Sequence, residues 1–145
     1  MNFDHWCSWL LYSSLFFMAF GVFVAIAPNS FLISPWTNAV DAHFFPGGAP
    51  PDAVALRAFL MAPLGATIAG TYLLQTFVVI HGFRKRARWA WHAILYSTLI
   101  WFGVDSAMSV VHGAYFNVAM INLAPLVIFG IPLLATRSAM NGEEN

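Results

Sequence analysis

The sequence predicts an all-α integral membrane protein, an antiparallel four-helix transmembrane bundle with both termini in the cytoplasm. Of its 145 residues, 60% are hydrophobic and only 8% are charged, whereas about a quarter of the residues of a soluble domain are charged. Aromatic residues make up 17% of the chain, which suits helices that place amphipathic rings at lipid headgroups. Four apolar stretches reach the length of about 20 residues that a helix needs to cross the hydrocarbon core.

These stretches predict spans at about 6–27, 54–80, 89–112 and 115–135, which together form a single transmembrane domain. The first is expected to be a mature span, because it lacks a basic leading segment and its apolar run is too long for a signal peptide. The connection 28–53 is rich in proline and glycine, and it predicts an outer loop with a short helical turn near 37–43. Its apolar side chains predict that it lies on the membrane surface or caps the bundle as a lid.

The basic residues predict the orientation, because short loops rich in Lys and Arg stay in the cytoplasm. Arg84, Lys85, Arg86 and Arg88 fall in or beside the predicted inner loop 81–88, and Arg137 follows the fourth span. We therefore expect an N-in, C-in protein, with the lipid bilayer as its first partner. The formal net charge is zero, which argues against nucleic acid as a partner.

Two charged residues fall inside the predicted spans, where a charge is costly and usually faces the bundle interior with a partner. Arg57 lies near the outer end of the second span, and Asp105 lies at a similar depth in the third. A guanidinium and a carboxylate form strong hydrogen bonds. The sequence therefore predicts that Arg57 and Asp105 are paired, directly or through water.

Polar residues form one stripe on each of these two spans when a helix is turned by about 100° per residue. The two stripes predict an outward-facing pocket inside the bundle, covered by the outer loop, for a lipid, quinone or other amphipathic small molecule. An ion pair that only fixes the register of the helices is the alternative. The candidate pocket residues are Arg57, Asp105, Trp101, Ser109, His112, Gln75 and Thr98.

The opposite face of the second span carries small residues at every fourth position, a pattern that lets another helix approach closely. Either this span is central in the bundle, or the face joins copies in a homo-oligomer or a larger membrane complex. The second reading makes the protein an accessory subunit. The predicted packing residues are Ala58, Ala62, Ala66 and Gly70.

Prolines inside the spans remove backbone donors, and the freed carbonyls need new partners. Pro63, Pro125 and Pro132 are such residues, and Asn117 and Asn122 are candidate donors.

The sequence contains no pattern that favours catalysis or a metal site. It has no G-x-S-x-G, G-x-G-x-x-G or H-E-x-x-H motif, and its single cysteine, Cys7, excludes a CxxC pair. An enzyme is therefore not favoured, although Asp105 and His112 lie seven residues apart on one helix face and leave an acid/base couple open. No cofactor is predicted. Quinone remains open for the pocket, and haem for His81 and His92 beside the basic loop.

The stretch from Arg57 through Arg137 resembles a known kind of protein. It contains RAFLMAPLGATIAGTYLLQ, then HGFRKRARWAWHAILYSTLIWFGVDSAMSV and YFNVAMINLAPLVIFGIPLLATR. An Arg opens the second span, Gly65 and Gly70 follow, a basic turn precedes the third span, and an acid falls late within it. This pattern resembles small uncharacterised four-helix bacterial membrane proteins that are distantly like the DoxX group. The resemblance implies a bacterial cytoplasmic membrane, a four-helix bundle, and a quinone-linked or accessory role.

Overall fold

The computed structural model describes residues 2–141, with side chains as far as Met140. Its helices are α1 (Phe3–Ile26), α2 (Ser34–Phe44), α3 (Pro51–His81), α4 (Arg88–Val111) and a last span, α5, that begins at Tyr115. Four of them, all except α2, are long and apolar enough to cross a membrane. The predicted all-helical class and a multi-pass membrane protein are thus supported by length and composition.

Local sequence explains where the helices begin and end. The Asn2 side chain accepts a hydrogen bond from the backbone N–H of His5 (3.1 Å) and caps α1. Pro51 occupies the first position of α3, where a missing N–H costs nothing. After α4, Gly113 adopts φ +69°, and the N–H of Ala114 reaches back to the carbonyl of Ser109 (2.8 Å). This is a Schellman ending, which requires the left-handed conformation that glycine adopts without strain.

The first close helix pair is α1 and α3, which run in opposite directions. A Cβ atom added to Gly65 would lie 2.4 Å from the carbonyl oxygen of Gly21, and one added to Gly21 would lie 2.5 Å from the backbone nitrogen of Ala69. The two backbones therefore touch with no side chain between them. Further toward the start of α1, Gln75 donates to Ser14 (3.1 Å), and both residues are buried.

The second pair, α4 and α5, is also antiparallel, but long side chains hold it together. The indole N–H of Trp91 donates to the carbonyl of Leu133 (2.9 Å), and Arg88 Nε donates to the carbonyl of Met140 (3.1 Å). Helix α1 joins the two pairs through a core that contains Leu10, Phe83 and Phe129. Helices α3 and α4 contact each other only sparsely.

Helix α5 changes its winding along its length. An α-helical turn (Tyr115–Asn117) continues as a π-helix (Val118–Asn122) and then as an α-helix (Leu123–Asn141). Pro125 follows the π-helical stretch and has no N–H to give to the preceding turn. Pro132 likewise frees the carbonyl of Ile128, which accepts the indole N–H of Trp9 on α1 (2.9 Å). A proline-freed carbonyl was predicted to need a partner, but the donor is a tryptophan of another span, not Asn117 or Asn122.

The connection between α1 and α3 contains a helix of 11 residues, α2, longer than the turn predicted near 37–43. Pro35 lies in its first turn, which favours helix initiation. The helix makes polar contacts with α3, with the end of α4 and with the first turn of α5, as described below. We call this end of the bundle the α2 end, and the end that carries loop 82–87 the basic end.

Candidate functional site

Arg57 does not pair with Asp105, so the direct ion pair predicted from the sequence is wrong. Arg57 Nη1 instead binds Asp41 of α2 and lies 3.5 Å from the carbonyl oxygen of Thr37. The Arg57 and Asp41 side chains are 18% and 26% exposed, so the pair is largely withdrawn from solvent. The sequence prediction considered only the transmembrane spans, and the acid that neutralises Arg57 lies in the connection outside them.

The carboxylate of Asp105 accepts a hydrogen bond from a neutral side chain. Asn117 Nδ2 donates both to Asp105 Oδ2 and to Ser109 Oγ (2.9 Å each). The Asn117 oxygen accepts the indole N–H of Trp36 on α2 (2.9 Å). Asp105 and Ser109, predicted to share one stripe, are thus brought together, and the missing member of the site is Asn117. We call Trp36, Asp41, Arg57, Asp105, Ser109 and Asn117 the α2-end network.

Two further polar contacts lie outside this network. His43 Nε2 donates to the backbone carbonyl of His112 (3.0 Å), and the imidazole of His112 is exposed. Asn122, fully buried in the π-helical turn, donates to Ser106 Oγ (2.9 Å). Its Oδ1 is buried without a hydrogen-bond partner in the described part of the chain. The α2 end is therefore a cap in which most polar groups form hydrogen bonds with one another.

The other predicted pocket residues are dispersed. Trp101 is 37% exposed on the outer surface of α4. Gln75 binds Ser14 and borders a gap of about 130 Å³ between α3 and α4. Thr98 is buried and lines a larger cavity described below. The predicted pocket therefore does not form as one site.

In the described part of the chain, most of the predicted small-residue face of α3 is exposed, although Ala58 is partly buried. Ala62, Ala66 and Gly70 are exposed, and no atom lies within 4 Å of a Cβ built on Gly70. The close approach to α1 uses Gly65 and Ala69 instead. Both faces have the same small-residue spacing, so spacing alone could not tell which one packs inside the chain.

The larger cavity is a groove of about 740 Å³ between α4 and α5, within the usual size range of small-molecule sites. It begins at the basic end with Arg88 and Arg137 and reaches Thr98 and Leu99 near the middle of the bundle. We call it the α4/α5 groove. Its apolar and aromatic walls include Trp91, Leu95, Tyr96, Leu126, Val127, Gly130 and Leu134.

The aromatic side of the groove is ordered by contacts along α4. His92 stacks on Tyr96, with ring centroids 5.7 Å apart, and stands edge-on to Trp91 at 5.2 Å. His92 Nδ1 lies 3.0 Å from the carbonyl oxygen of Arg88 and donates to it. With Nδ1 carrying the proton, Nε2 of the neutral ring is an acceptor. His81, the other residue considered for haem, stacks on Phe77 of its own helix at 6.0 Å.

Gly130 provides part of the volume of the groove. No heavy atom lies within 4 Å of a Cβ built on Gly130, so a side chain there would project into free space. Within residues 2–141, no group of three or more His, Cys, Asp or Glu side chains could hold a metal ion.

The sequence signal that could have located the groove is weak. Aromatic residues at 91, 92 and 96 lie on one side of α4, and Arg88 and Arg137 follow from the positive charge at the basic end. Their position opposite Gly130 could not be deduced without the pairing of α4 with α5. Searches against protein-family models, curated proteins and solved structures found no match, so the resemblance to the DoxX group stays a prediction.

Proposed function

We propose that this protein is a multi-pass membrane protein that binds an amphipathic small molecule in the α4/α5 groove. The observation that carries the proposal is the form of the groove, with apolar and aromatic walls and two arginines at one end. Such walls with a few polar groups at one place are the usual composition of a ligand site. The proposal keeps the ligand class predicted from the sequence and moves its site from the α2 end to the basic end.

The depth of the groove supports a ligand drawn from the membrane. Its α4 wall runs from residue 88 to residue 99, which is about 16 Å at a rise of about 1.5 Å per residue. One leaflet contributes about half of a hydrocarbon core that is about 30 Å thick. The groove therefore extends about as far into the bundle as a lipid tail extends into its leaflet.

We further propose that the basic end faces the cytoplasm, which makes the protein N-in and C-in, and that the membrane is the bacterial inner membrane. Arg84, Lys85, Arg86, Arg88 and Arg137 all lie at this end, and a concentration of basic residues in short segments favours retention in the cytoplasm. Labelling of a cysteine introduced at Lys85, in intact and in permeabilised cells, tests the orientation. Labelling in intact cells by a membrane-impermeant reagent would contradict it.

The binding proposal is tested by filling the groove. Gly130→Leu places a side chain in the free space, while Gly103→Leu makes the same change on α4 at a position with no atom within 4 Å of its Cβ and outside the groove lining. Both proteins are purified in mild detergent, and the bound small molecules are extracted and weighed by mass spectrometry. We expect wild type and Gly103→Leu to retain an amphiphile that Gly130→Leu loses. Equal retention by all three would refute the site, and an empty wild-type protein would refute the binding function.

A second candidate function is assembly, as an accessory subunit or a homo-oligomer. It is favoured by the face of α3 with Ala62, Ala66 and Gly70, which is exposed among residues 2–141. Small residues in lipid allow helices to approach closely. Native mass spectrometry of wild type and Gly70→Leu tests it. Loss of a defined oligomer in the variant would support assembly through this face, and a wild-type monomer at every concentration would contradict homo-oligomerisation.

A further inference from the structure

We propose that the ligand of the α4/α5 groove is an acidic phospholipid of the surrounding leaflet, with its phosphate at Arg88 and Arg137 and an acyl chain between the helices. This inference rests on the binding function proposed above and adds the chemical class of the ligand.

The hydrogen-bond donors of the groove indicate where a polar group can bind. Trp91 donates its indole N–H to the carbonyl of Leu133, and His92 donates Nδ1–H to the carbonyl of Arg88. Neither of these N–H groups remains for a ligand. A quinone ring among these side chains would find only the hydroxyl groups of Tyr96 and Thr98 as donors for its carbonyl oxygens. The charged donors lie at the mouth.

The mouth is suited to an anion. The hydrogen bond from Arg88 Nε to the carbonyl of Met140 holds the guanidinium beside the groove, and Arg137 is exposed at the same end. Among the residues that the structure describes, none that lines the groove is acidic. Guanidinium groups bind phosphate through strong, charge-assisted hydrogen bonds. Basic residues at the ends of transmembrane helices are a recognised basis for selecting anionic lipids.

The apolar walls and the arginines of the groove suit different parts of one ligand. A free phosphate would pair with Arg137 but leave the apolar walls uncovered, and a neutral hydrocarbon would cover the walls without pairing with Arg137. A phospholipid satisfies both, because its acyl chain and its phosphate are separated along one axis as the walls and the arginines are. Among phospholipids, one with a net negative charge is favoured, because its headgroup carries no ammonium for the arginines to repel.

The test compares two charge-removing variants at the same end of the protein. Arg137→Gln changes the mouth, and Lys85→Gln makes an equal change of charge in the exposed basic loop, outside the groove lining. Delipidated wild type and both variants are incubated with phosphatidylglycerol and phosphatidylcholine of identical chains, and retained lipid is counted by native mass spectrometry. We expect wild type and Lys85→Gln to retain phosphatidylglycerol about tenfold better than phosphatidylcholine, since both lipids carry the phosphate but only phosphatidylcholine places a choline ammonium beside it, where the arginines repel it. Arg137→Gln should reduce this preference to near parity.

Other outcomes separate the two proposals. Equal retention of both lipids by wild type, abolished by Gly130→Leu, would overturn the acidic-lipid inference and leave the binding function intact. An equal loss of preference in Lys85→Gln and Arg137→Gln would overturn the inference, because it would show diffuse attraction to the basic end. Displacement of the lipid by millimolar inorganic phosphate alone would also overturn it, since the chain would then contribute nothing. No retained lipid of either kind would refute the binding function itself.

Discussion

The two antiparallel helix pairs of this protein are built from similar spans but meet in different ways. Helices α1 and α3 touch backbone to backbone at Gly21 and Gly65. Helices α4 and α5 are joined by side chains near both ends, including Asn117 with Asp105 and Trp91 with the Leu133 carbonyl. A groove of about 740 Å³ lies between them toward the basic end.

The comparison shows that the kind of contact, not the hydrophobicity of the helices, decides whether two spans enclose a cavity. Glycines in mutual contact bring two helix axes together, whereas hydrogen bonds through Trp, Arg and Asn side chains hold them at a distance. Glycine alone does not close a pair, since Gly130 faces free space. We call α1 and α3 the closed pair, and α4 and α5, which contain the candidate site, the open pair.

The largest expected effect is on the closed pair. Gly65→Ala places a Cβ 2.4 Å from the Gly21 carbonyl oxygen, and only a backbone shift can relieve this overlap, so we expect a loss of about 3 kcal/mol of stability. Gly130→Ala, in the open pair, should be neutral or stabilising by up to about 1 kcal/mol, because alanine favours the helix and meets no atom. Thermal unfolding in detergent measures both. Equal effects would show that the pairs do not differ in packing.

A second prediction concerns the contacts that hold the open pair at the α2 end. Asn117→Ala removes the amide that binds Asp105, Ser109 and Trp36. It leaves a half-buried carboxylate without this donor, so we expect a loss of about 2 kcal/mol. The amphiphile should still be retained at the other end of α4, which mass spectrometry of the purified variant would show. A stable Asn117→Ala protein that has lost its ligand would contradict the separation of cap and groove.

A third, smaller effect tests how the two pairs are connected. Because α3 and α4 touch only sparsely, the two pairs are joined through α1 and α2. Helix α2 contributes Asp41, which binds Arg57 of α3, and Trp36, which binds Asn117 of α5. A double-mutant cycle of Arg57→Ala and Asp41→Ala should give a coupling of about 1–2 kcal/mol, discounted for partial exposure. A cycle of Arg57→Ala and Asp105→Ala should be additive within about 0.5 kcal/mol. Strong coupling in the second cycle would restore the pairing predicted from the sequence.

The smallest effect concerns the hydrogen bond that joins α1 to α5. Trp9→Phe leaves the Ile128 carbonyl without its indole donor and should cost about 1 kcal/mol. In a Pro132→Ala background the helix regains a backbone N–H for that carbonyl, so the same substitution should cost close to nothing. Thermal unfolding of the four proteins in this cycle measures the difference. An unchanged cost would mean that Trp9 stabilises the bundle only by packing.

The sequence was most informative where physical constraints are local. The apolar run that forms α1 (Phe3–Ile26) is readable from composition alone. Asp105 and Ser109 were placed on one face because they lie one helical turn apart. The partner of Arg57 was not readable, because which acid reaches it depends on the path of the α2 connection.

Two other features depend on which helices become neighbours. The choice between Gly65 and Gly70 as the contact point on α3 is a rotation of the helix that the small-residue spacing does not determine. The groove arises where Gly130 faces the aromatic side of α4. Neither the glycine nor the aromatic residues indicate a cavity when they are considered alone. The periodicity of the sequence predicts which residues share a helix face, and the candidate site depends on which of these faces pack together.

The bond between Trp9 and the Ile128 carbonyl has a consequence for how the protein is made. The donor lies in α1, and its acceptor lies in α5, three spans later in the chain. Phe129 and Leu133 lie in the same buried cluster as Cys7 and Leu10 of α1. During synthesis α1 can pack against α3 early, but this part of its surface stays exposed to lipid until α5 has been made. Closure of the bundle therefore follows the synthesis of α5, and a nascent chain halted after α4 would leave this face of α1 uncovered.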